Sequence, residues 1–140
     1  SKKLMPNPFD KYLTPEDHEH IMVVKYMKSK HPDLLFFHVP NEGKKSASER
    51  YKTSIMGAKK GIADFLLLEP NNGRHGLFIE LKAPSRQRIN KNTGKIVKVA
   101  HGKPSPEQLD FIAEAIGRGY DAKCVIGADE CIKIIEEYLS

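Results

Sequence analysis

Three ionisable residues interrupt segments that otherwise have the composition of buried strands. Asp64 falls in the apolar run 62–68, and Glu80 and Lys82 fall in the run 76–82. Successive side chains of a strand alternate between its faces, so Glu80 and Lys82 point the same way. A Pro-Asn-Asn-Gly turn between the runs predicts a hairpin, which would bring Asp64 roughly opposite Lys82. The three side chains are therefore expected to converge on one patch.

The predicted patch carries two carboxylates and one ammonium group. Buried charges are costly unless they are paired or bound to metal, and this set leaves one negative charge uncompensated. Asp64, Glu80 and the backbone carbonyl of Leu81 offer hard oxygen ligands suited to Mg²⁺ or Mn²⁺.

Phosphodiester hydrolysis is the chemistry that such a patch indicates. The metal would polarise the scissile phosphate and lower the pKa of an attacking water. Lys82 would orient or deprotonate that water, or stabilise negative charge on the phosphate. The alternative is a structural ion pair between Lys82 and Asp64, with Glu80 at a solvated strand end.

The hydrophobic pattern predicts an α/β fold, with a mixed central β-sheet flanked by helices in the order α-β-β-β-α-β-α. Thr14 is the predicted N-cap of the first helix, which ends near residues 31–33. Residues 41–60 are predicted to be a loop with a short helix. Two of the predicted helices have a core-facing stripe. The stripe of the first helix consists of Glu16, His20, Val23, Val24 and Met27. The stripe of the helix that follows residues 104–107 consists of Leu109, Ile112, Ala113 and Ile116. The remaining predicted elements are strands at 34–39, 62–68, 76–82 and 122–126 and a helix at 129–139.

The chain has 140 residues, which predicts a single domain over 1–140 with a flexible N-terminal segment at 1–13. Its net charge is +5, and two segments concentrate the positive charge: 41–61 carries +4 and 83–106 carries +6. Clustered Lys and Arg favour a polyanionic partner, although two solvated loops would give the same composition. Residues 84–103 are predicted to be a basic excursion, a ribbon that turns at 92–94.

The remaining composition predicts a cytoplasmic protein with no membrane span. No apolar run reaches the length of a spanning helix, and the N-terminus lacks the apolar region of a secretion signal. Cys124 and Cys131 are expected to be reduced thiols rather than a disulfide.

An ordered set of short motifs runs from about Glu16 to Tyr138. Its stretches are 16–20 (EDHEH), 38–43 (HVPNEG), 57–64 (GAKKGIAD), 79–83 (IELKA), 105–108 (SPEQ) and 119–120 (GY). This set resembles the PD-(D/E)XK nucleases, and among them the virus-type replication-repair nuclease (VRR-NUC) family. Two positions depart from the family pattern: Ala63 stands where the family usually has Pro, and His20 where it often has Gln.

The resemblance implies a restriction-endonuclease-like core and a stand-alone protein of the phage or bacterial type, associated with the nucleoid. It implies a metal-dependent DNA endonuclease of DNA repair that cuts branched DNA, including four-way (Holliday) junctions, as a homodimer. The final helix offers apolar positions for a dimer surface, although all of them could pack inside the monomer. Two alternatives stay open, namely a nuclease that prefers flaps or ends, and a DNA-binding protein of the same fold without turnover.

The resemblance also assigns roles to residues. Asp64 and Glu80 are the implied metal ligands and Lys82 the catalytic lysine, while Gln108 would help to hold the water or the lysine. Glu16 is a further candidate ligand, and Glu19 is its competitor if the other helix face points to the site. The expected DNA contacts are Asn41, Lys44, Lys45, Lys59, Lys60, Arg86, Arg88, Lys91, Lys95, Lys98 and Lys103.

Overall fold

A computed structural model describes residues 7–40 and 45–140. A 3₁₀ turn over Asp10–Tyr12 precedes the first α-helix. The helices are α1 (Pro15–Lys30), α2 (Ala47–Ile55), α3 (Pro106–Gly117) and α4 (Gly127–Leu139). The strands are β1 (Phe36–His38), β2 (Phe65–Leu67), β3 (Leu77–Lys82), β4 (Arg86–Ile89), β5 (Ile96–Val99) and β6 (Asp121–Ile126).

The central sheet is mixed, as predicted. Its strand order is β1-β2-β3-β6, with antiparallel pairing of β1 with β2 and of β2 with β3, and parallel pairing of β3 with β6. The parallel pair requires a crossover, which α3 supplies. β4 and β5 form a separate antiparallel ribbon in the predicted basic excursion.

The two faces of β3 have different surroundings. Leu77, Ile79 and Leu81 are fully buried and join the hydrophobic core with residues of α1 and α4, such as Val23 and Ile135. Phe78, Glu80 and Lys82 must lie on the opposite face, because side chains alternate along a strand. The same strand therefore contributes to the core with one face and carries the ionisable residues on the other.

The start of α1 agrees with its sequence signals. Thr14 accepts a hydrogen bond from the Asp17 backbone N–H, Asp17 accepts one from the Thr14 backbone N–H, and Pro15 occupies the first turn. This capping box satisfies two backbone donors that a helix N-terminus would otherwise leave unpaired. Val23 and Met27 on the predicted stripe are buried in the core.

The predicted inward face of α3 is wrong at three of its four positions, and the fourth, Ile112, is half-buried. Leu109 is 52% exposed and Ile116 is 41% exposed, whereas Phe111 packs on Phe78 and Ala115 is buried. α3 is apolar over a wide arc, and the sheet surface decides which part of that arc turns inward. A ring-to-ring contact on β3 then favours the face that carries Phe111.

The apolar positions of α4 pack within the monomer. Ile135 and Tyr138 are buried, and Ile134 and Leu139 pack against the core. Most of the surplus that the sequence suggested for a dimer surface is therefore used in the fold, whereas Ile132 is half-buried and lies outside the core cluster. Cys124 and Cys131 are free thiols, as predicted. Across residues 7–40 and 45–140, no helix has the length and apolar character needed to cross a membrane.

Candidate active site

The register of the β2–β3 pair places Asp64 beside Glu80. Phe65 is opposite Ile79 at the end of the ladder, so one further antiparallel step brings Asp64 opposite Glu80 rather than Lys82. A tight turn does form, with Asn71 and Arg74 as an antiparallel bridge, but the β2–β3 ladder is offset by one residue from that bridge, so the predicted partner was wrong by two residues along β3. Asp64 itself lies just before β2, and its Oδ2 accepts a hydrogen bond of 2.8 Å from the Leu81 backbone N–H.

Gly61 allows the segment that carries Asp64 to approach the N-terminus of α3. Its φ is +80°, a conformation that residues with a side chain rarely adopt. A Cβ at this position would lie 2.4 Å from the Glu107 carbonyl oxygen and 2.8 Å from the Gln108 backbone nitrogen. Glycine is therefore required both by backbone conformation and by close approach.

Glu80 is the most enclosed ionisable residue of the site, with 2% of its surface exposed. Its Oε1 accepts hydrogen bonds from Gln108 Nε2 at 2.7 Å and from Lys82 Nζ at 3.2 Å. Its Oε2 is buried and has no hydrogen-bond partner in the described part of the chain. Burial, followed by the negative charge of Asp64, raises the pKa of Glu80 to about 7.

Gln108 is held at both ends of its amide. Its Oε1 accepts a hydrogen bond of 2.8 Å from the Ser105 backbone N–H, and the Ser105 hydroxyl accepts one of 3.2 Å from the Gln108 backbone N–H. The remaining contact of the amide goes to Glu80. Gln108 thus caps α3 and fixes the orientation of the Glu80 carboxylate, and its amide nitrogen donates to that carboxylate rather than contacting Lys82.

Lys82 is covered by the chain that returns from the ribbon. The Gly102 backbone N–H donates to the Ala83 carbonyl at 3.0 Å, and a Cβ at Gly102 would lie 3.2 Å from Lys82 Cβ. The side chain of Lys82 is 15% exposed. This covering restricts the lysine stem and directs its ammonium group towards Glu80.

Glu16 and His20 bring α1 to the same site. His20 Nε2 lies 4.0 Å from Glu16 Oε1 and 3.8 Å from Asp64 Oδ2. Together with Gln108 they line a cavity of about 160 Å³. Burial, and then the charge of Asp64, raises the pKa of Glu16.

Sequence reasoning placed His20 on the stripe of α1 but did not include it among the site residues. The signal was its position four residues after Glu16, which puts both on one helix face. Glu19 lies elsewhere: its Oε1 accepts a hydrogen bond of 3.3 Å from the Ala128 backbone N–H in the first turn of α4. Of the two candidate glutamates, Glu16 is the one that lines the cavity.

The donor set fits a divalent cation. One ligand atom from each of Glu16, His20 and Asp64 lies within 4.8 Å of the other two. Glu80 is not one of these three residues, but it pairs across the sheet with the position of Asp64, and its buried Oε2 lacks a partner in the described residues. Leu81, whose carbonyl was a predicted ligand, adjoins this set through the hydrogen bond from its N–H to Asp64.

The predicted DNA contacts of the ribbon divide between its two faces. Because Arg86 pairs with Val99 and Arg88 with Val97, these two arginines share one face. Lys98 lies on the opposite face. Lys91 and Lys95 are exposed in the turn between the strands, and Lys103 is exposed after the ribbon.

The other predicted contacts lie around α2 and before Asp64. Lys45 Nζ donates to the Thr53 hydroxyl at 3.4 Å, and Lys59 Nζ lies 3.5 Å from a carboxylate oxygen of Glu114. Lys60 is exposed next to Lys59. Asn41 and Lys44 lie outside the described residues.

Comparison with known proteins identifies the fold. No protein-family model and no curated protein matches the chain. A solved structure titled "VRR_NUC domain protein" matches with a TM-score of 0.67 and 23% identity, covering 91% of this chain and 89% of the other. A second, titled "VRR_NUC domain", matches with a TM-score of 0.50 and 20% identity, covering 90% of this chain and 99% of the other. The chain therefore has the fold of VRR_NUC domains, and the predicted family resemblance is confirmed at the level of the fold.

Proposed function

We propose that the protein is a divalent-metal-dependent DNA endonuclease. The observation that carries this proposal is the buried Glu80 carboxylate, which lies beside Asp64 and has an oxygen without a described partner. Two adjacent carboxylates are stabilised when a cation lies between them, and an enclosed site without a cation would favour a neutral residue. The VRR_NUC fold supports the same activity, as do the positive segments of the chain.

Each residue has a separate role in the proposed reaction. Asp64 and Glu80 would hold the cation, with Glu16 and the Leu81 carbonyl as further oxygen donors. When bound, a cation there would supply Lewis-acid chemistry, which polarises a phosphate and lowers the pKa of a bound water. Lys82 orients or deprotonates the water, or stabilises charge on the phosphate, and Gln108 keeps the Glu80 carboxylate oriented.

Branched DNA, including the four-way junction, is the proposed substrate, and a homodimer is the proposed assembly. A four-way junction has two-fold symmetry and needs paired cuts, whereas one chain supplies one set of Asp64, Glu80 and Lys82. A two-fold dimer would present two such sets with the symmetry of the junction. A flap or end nuclease would use the same site as a monomer. We place this activity in the cytoplasm, on DNA of the nucleoid.

Cleavage assays on duplex, flap and four-way DNA with Mg²⁺ or Mn²⁺ test the activity. We expect Asp64→Asn and Glu80→Gln to abolish cleavage and to leave DNA binding nearly intact, because the basic ribbon is separate from these residues. Lys82→Ala should lose turnover and still bind metal. Asp110→Asn, which changes an exposed carboxylate of α3, is the matched control.

Two outcomes would contradict the proposal. Near-normal cleavage by Asp64→Asn would contradict the assignment of the active site. DNA binding without cleavage by the unmodified protein, at any metal concentration, would identify a DNA-binding protein without turnover. Light scattering tests the assembly separately, because a mass near 15.8 kDa with and without junction DNA would exclude the dimer and favour the flap or end nuclease.

A further inference from the structure

A second cavity lies between α3 and the sheet, on the same face of β3 as the candidate active site. Its volume is about 210 Å³, and its walls include Phe78, Phe111 and Tyr120. The Phe78 ring lies 5.0 Å from the Phe111 ring and 5.3 Å from the Tyr120 ring, measured between centroids. The three rings are half-buried, so the cavity presents aromatic surface to solvent.

This aromatic pocket is directly next to the active site. Phe78 precedes Glu80 by one strand repeat on the same face, a separation of about 7 Å. Phe111 follows Gln108 by three residues, about 4.5 Å along the axis of α3. The same helix and strand therefore meet twice, through Gln108 and Glu80 at the active site and through Phe111 and Phe78 at the pocket.

The rim of the pocket carries a net positive charge. Lys59 and Arg118 line it, and each lies 3.5 Å from a carboxylate oxygen of Glu114. Two cations against one carboxylate leave one positive charge, and Lys60 adds another exposed cation next to Lys59. An apolar aromatic floor beneath a cationic rim is complementary to a nucleotide, whose base is a flat ring and whose phosphate is an anion.

We propose that this pocket binds an unpaired nucleobase of the DNA substrate, one or two nucleotides from the scissile phosphate. The inference rests on the proposed nuclease function and specifies its substrate. A separation of about 7 Å corresponds to one or two nucleotides, because the rise is about 3.4 Å per nucleotide in a duplex strand and larger in an unpaired, more extended one. A paired base is enclosed in the duplex and cannot enter the pocket. The site therefore selects DNA with an unpaired nucleotide next to the cut, as in a flap, an end or a branch point that opens.

Abasic scanning of the substrate tests this assignment. Asp64→Asn protein, which is expected to bind without cutting, is titrated with flap DNA in which one base at a time is removed around the branch. Because loss of one stacked base weakens binding by about 5- to 150-fold, we expect such a loss at one or two adjacent positions and little change elsewhere. At those positions 2-aminopurine fluorescence should be quenched on binding.

Phe111→Leu in the same background keeps an apolar side chain and removes the ring. We expect this variant to bind intact flap DNA more weakly. Removing the base at the positions found by the abasic scan should then cause no further loss of affinity. Tyr120→Leu provides a second test if Phe111→Leu does not fold. Tyr51→Leu is the matched control, because Tyr51 lies on α2 and is 68% exposed, and its abasic profile should equal that of the parent.

Each result separates this inference from the proposed function. A flat abasic profile in a protein that binds flap DNA would overturn the base-binding pocket and leave the nuclease proposal standing. A profile that persists in both Phe111→Leu and Tyr120→Leu would place the base elsewhere and would also overturn it. Failure of the unmodified protein to bind any DNA form would overturn both.

Discussion

Replacing Glu80 by Gln should stabilise the protein when no metal is present and the pH is above 7. Burial and the charge of Asp64 raise the pKa of Glu80 from 4.5 to about 7, so the folded state binds a proton more tightly than the unfolded state. The protein consequently loses stability as the pH rises from about 4.5 to 7. Gln keeps the shape of the side chain and carries no ionisable proton, so the variant escapes this loss.

The expected magnitude follows from the same change in pKa. An increase from 4.5 to about 7, at about 1.36 kcal/mol per pKa unit, corresponds to about 3 kcal/mol. This value already includes the opposing attraction of Lys82, which lowers the pKa of Glu80. We therefore expect the free energy of unfolding of Glu80→Gln, relative to the unmodified protein, to be about 3 kcal/mol higher at pH 8.5 than at pH 4.

Urea unfolding in EDTA, followed by circular dichroism, measures this difference, since the chain has no Trp for fluorescence. Asp64→Asn is the informative control, because it removes the negative charge that helps to raise the pKa of Glu80. The pH at which the unmodified protein loses stability should therefore be lower in this variant. Mn²⁺ at pH 8.5 should offset most of this difference at about 100 times its Kd, where a ligand stabilises the binding-competent protein by about 2.7 kcal/mol, and should reverse the order at about 1,000 times its Kd, where the gain is about 4.1 kcal/mol. Parallel stability curves for Glu80→Gln and the unmodified protein between pH 4 and 8.5 would refute the reasoning.

Three further predictions follow from named contacts. Glu16→Gln should weaken Mn²⁺ binding in calorimetry, whereas Glu19→Gln should leave it unchanged. Glu19→Gln should instead lower the free energy of unfolding by about 0.5–1 kcal/mol, because Glu19 contacts the first turn of α4. Equal metal affinity in both variants would contradict this prediction. Gly61→Ala should lower the free energy of unfolding by more than about 1 kcal/mol in urea, because alanine disfavours the positive φ and its Cβ would collide with the Glu107 carbonyl. An unchanged unfolding midpoint would refute the close approach. Charge reversal of Arg86 and Arg88 should lower DNA affinity and flatten its salt dependence if their face of the ribbon contacts the phosphates. Lys98→Glu is the control for the opposite face. Equal losses of DNA affinity in the two variants would mean that the ribbon does not bind DNA by one face.

The sequence predicted the central elements because their signals are local. The capping box at Thr14, the turn after β2 and the alternation along β3 each depend on a few neighbouring residues. These signals were sufficient for the mixed α/β fold and for the shared face of Glu80 and Lys82. The fold assignment also depended on the order of motifs along the chain, and the solved VRR_NUC structures confirm it.

The details that could not be predicted depend on contacts between distant segments. The partner of Asp64 changed from Lys82 to Glu80 because register is fixed by the whole sheet and not by the turn alone. The inward face of α3 depends on Phe78, a residue of another element. Whether Glu16 or Glu19 lines the cavity depends on where α4 begins, because Ala128 takes the Glu19 contact.

The burial of Glu80 is a consequence of the position of β3 and is not a local preference of the residue. Leu77, Ile79 and Leu81 fix one face of this central strand in the core, so the other face must lie under α3. At that face Gln108 and Lys82 both bind a single oxygen of the carboxylate, which leaves the other oxygen for a ligand. A rigid core thus enforces an incompletely satisfied carboxylate, and in the proposed function a bound cation would recover the free energy that this arrangement costs.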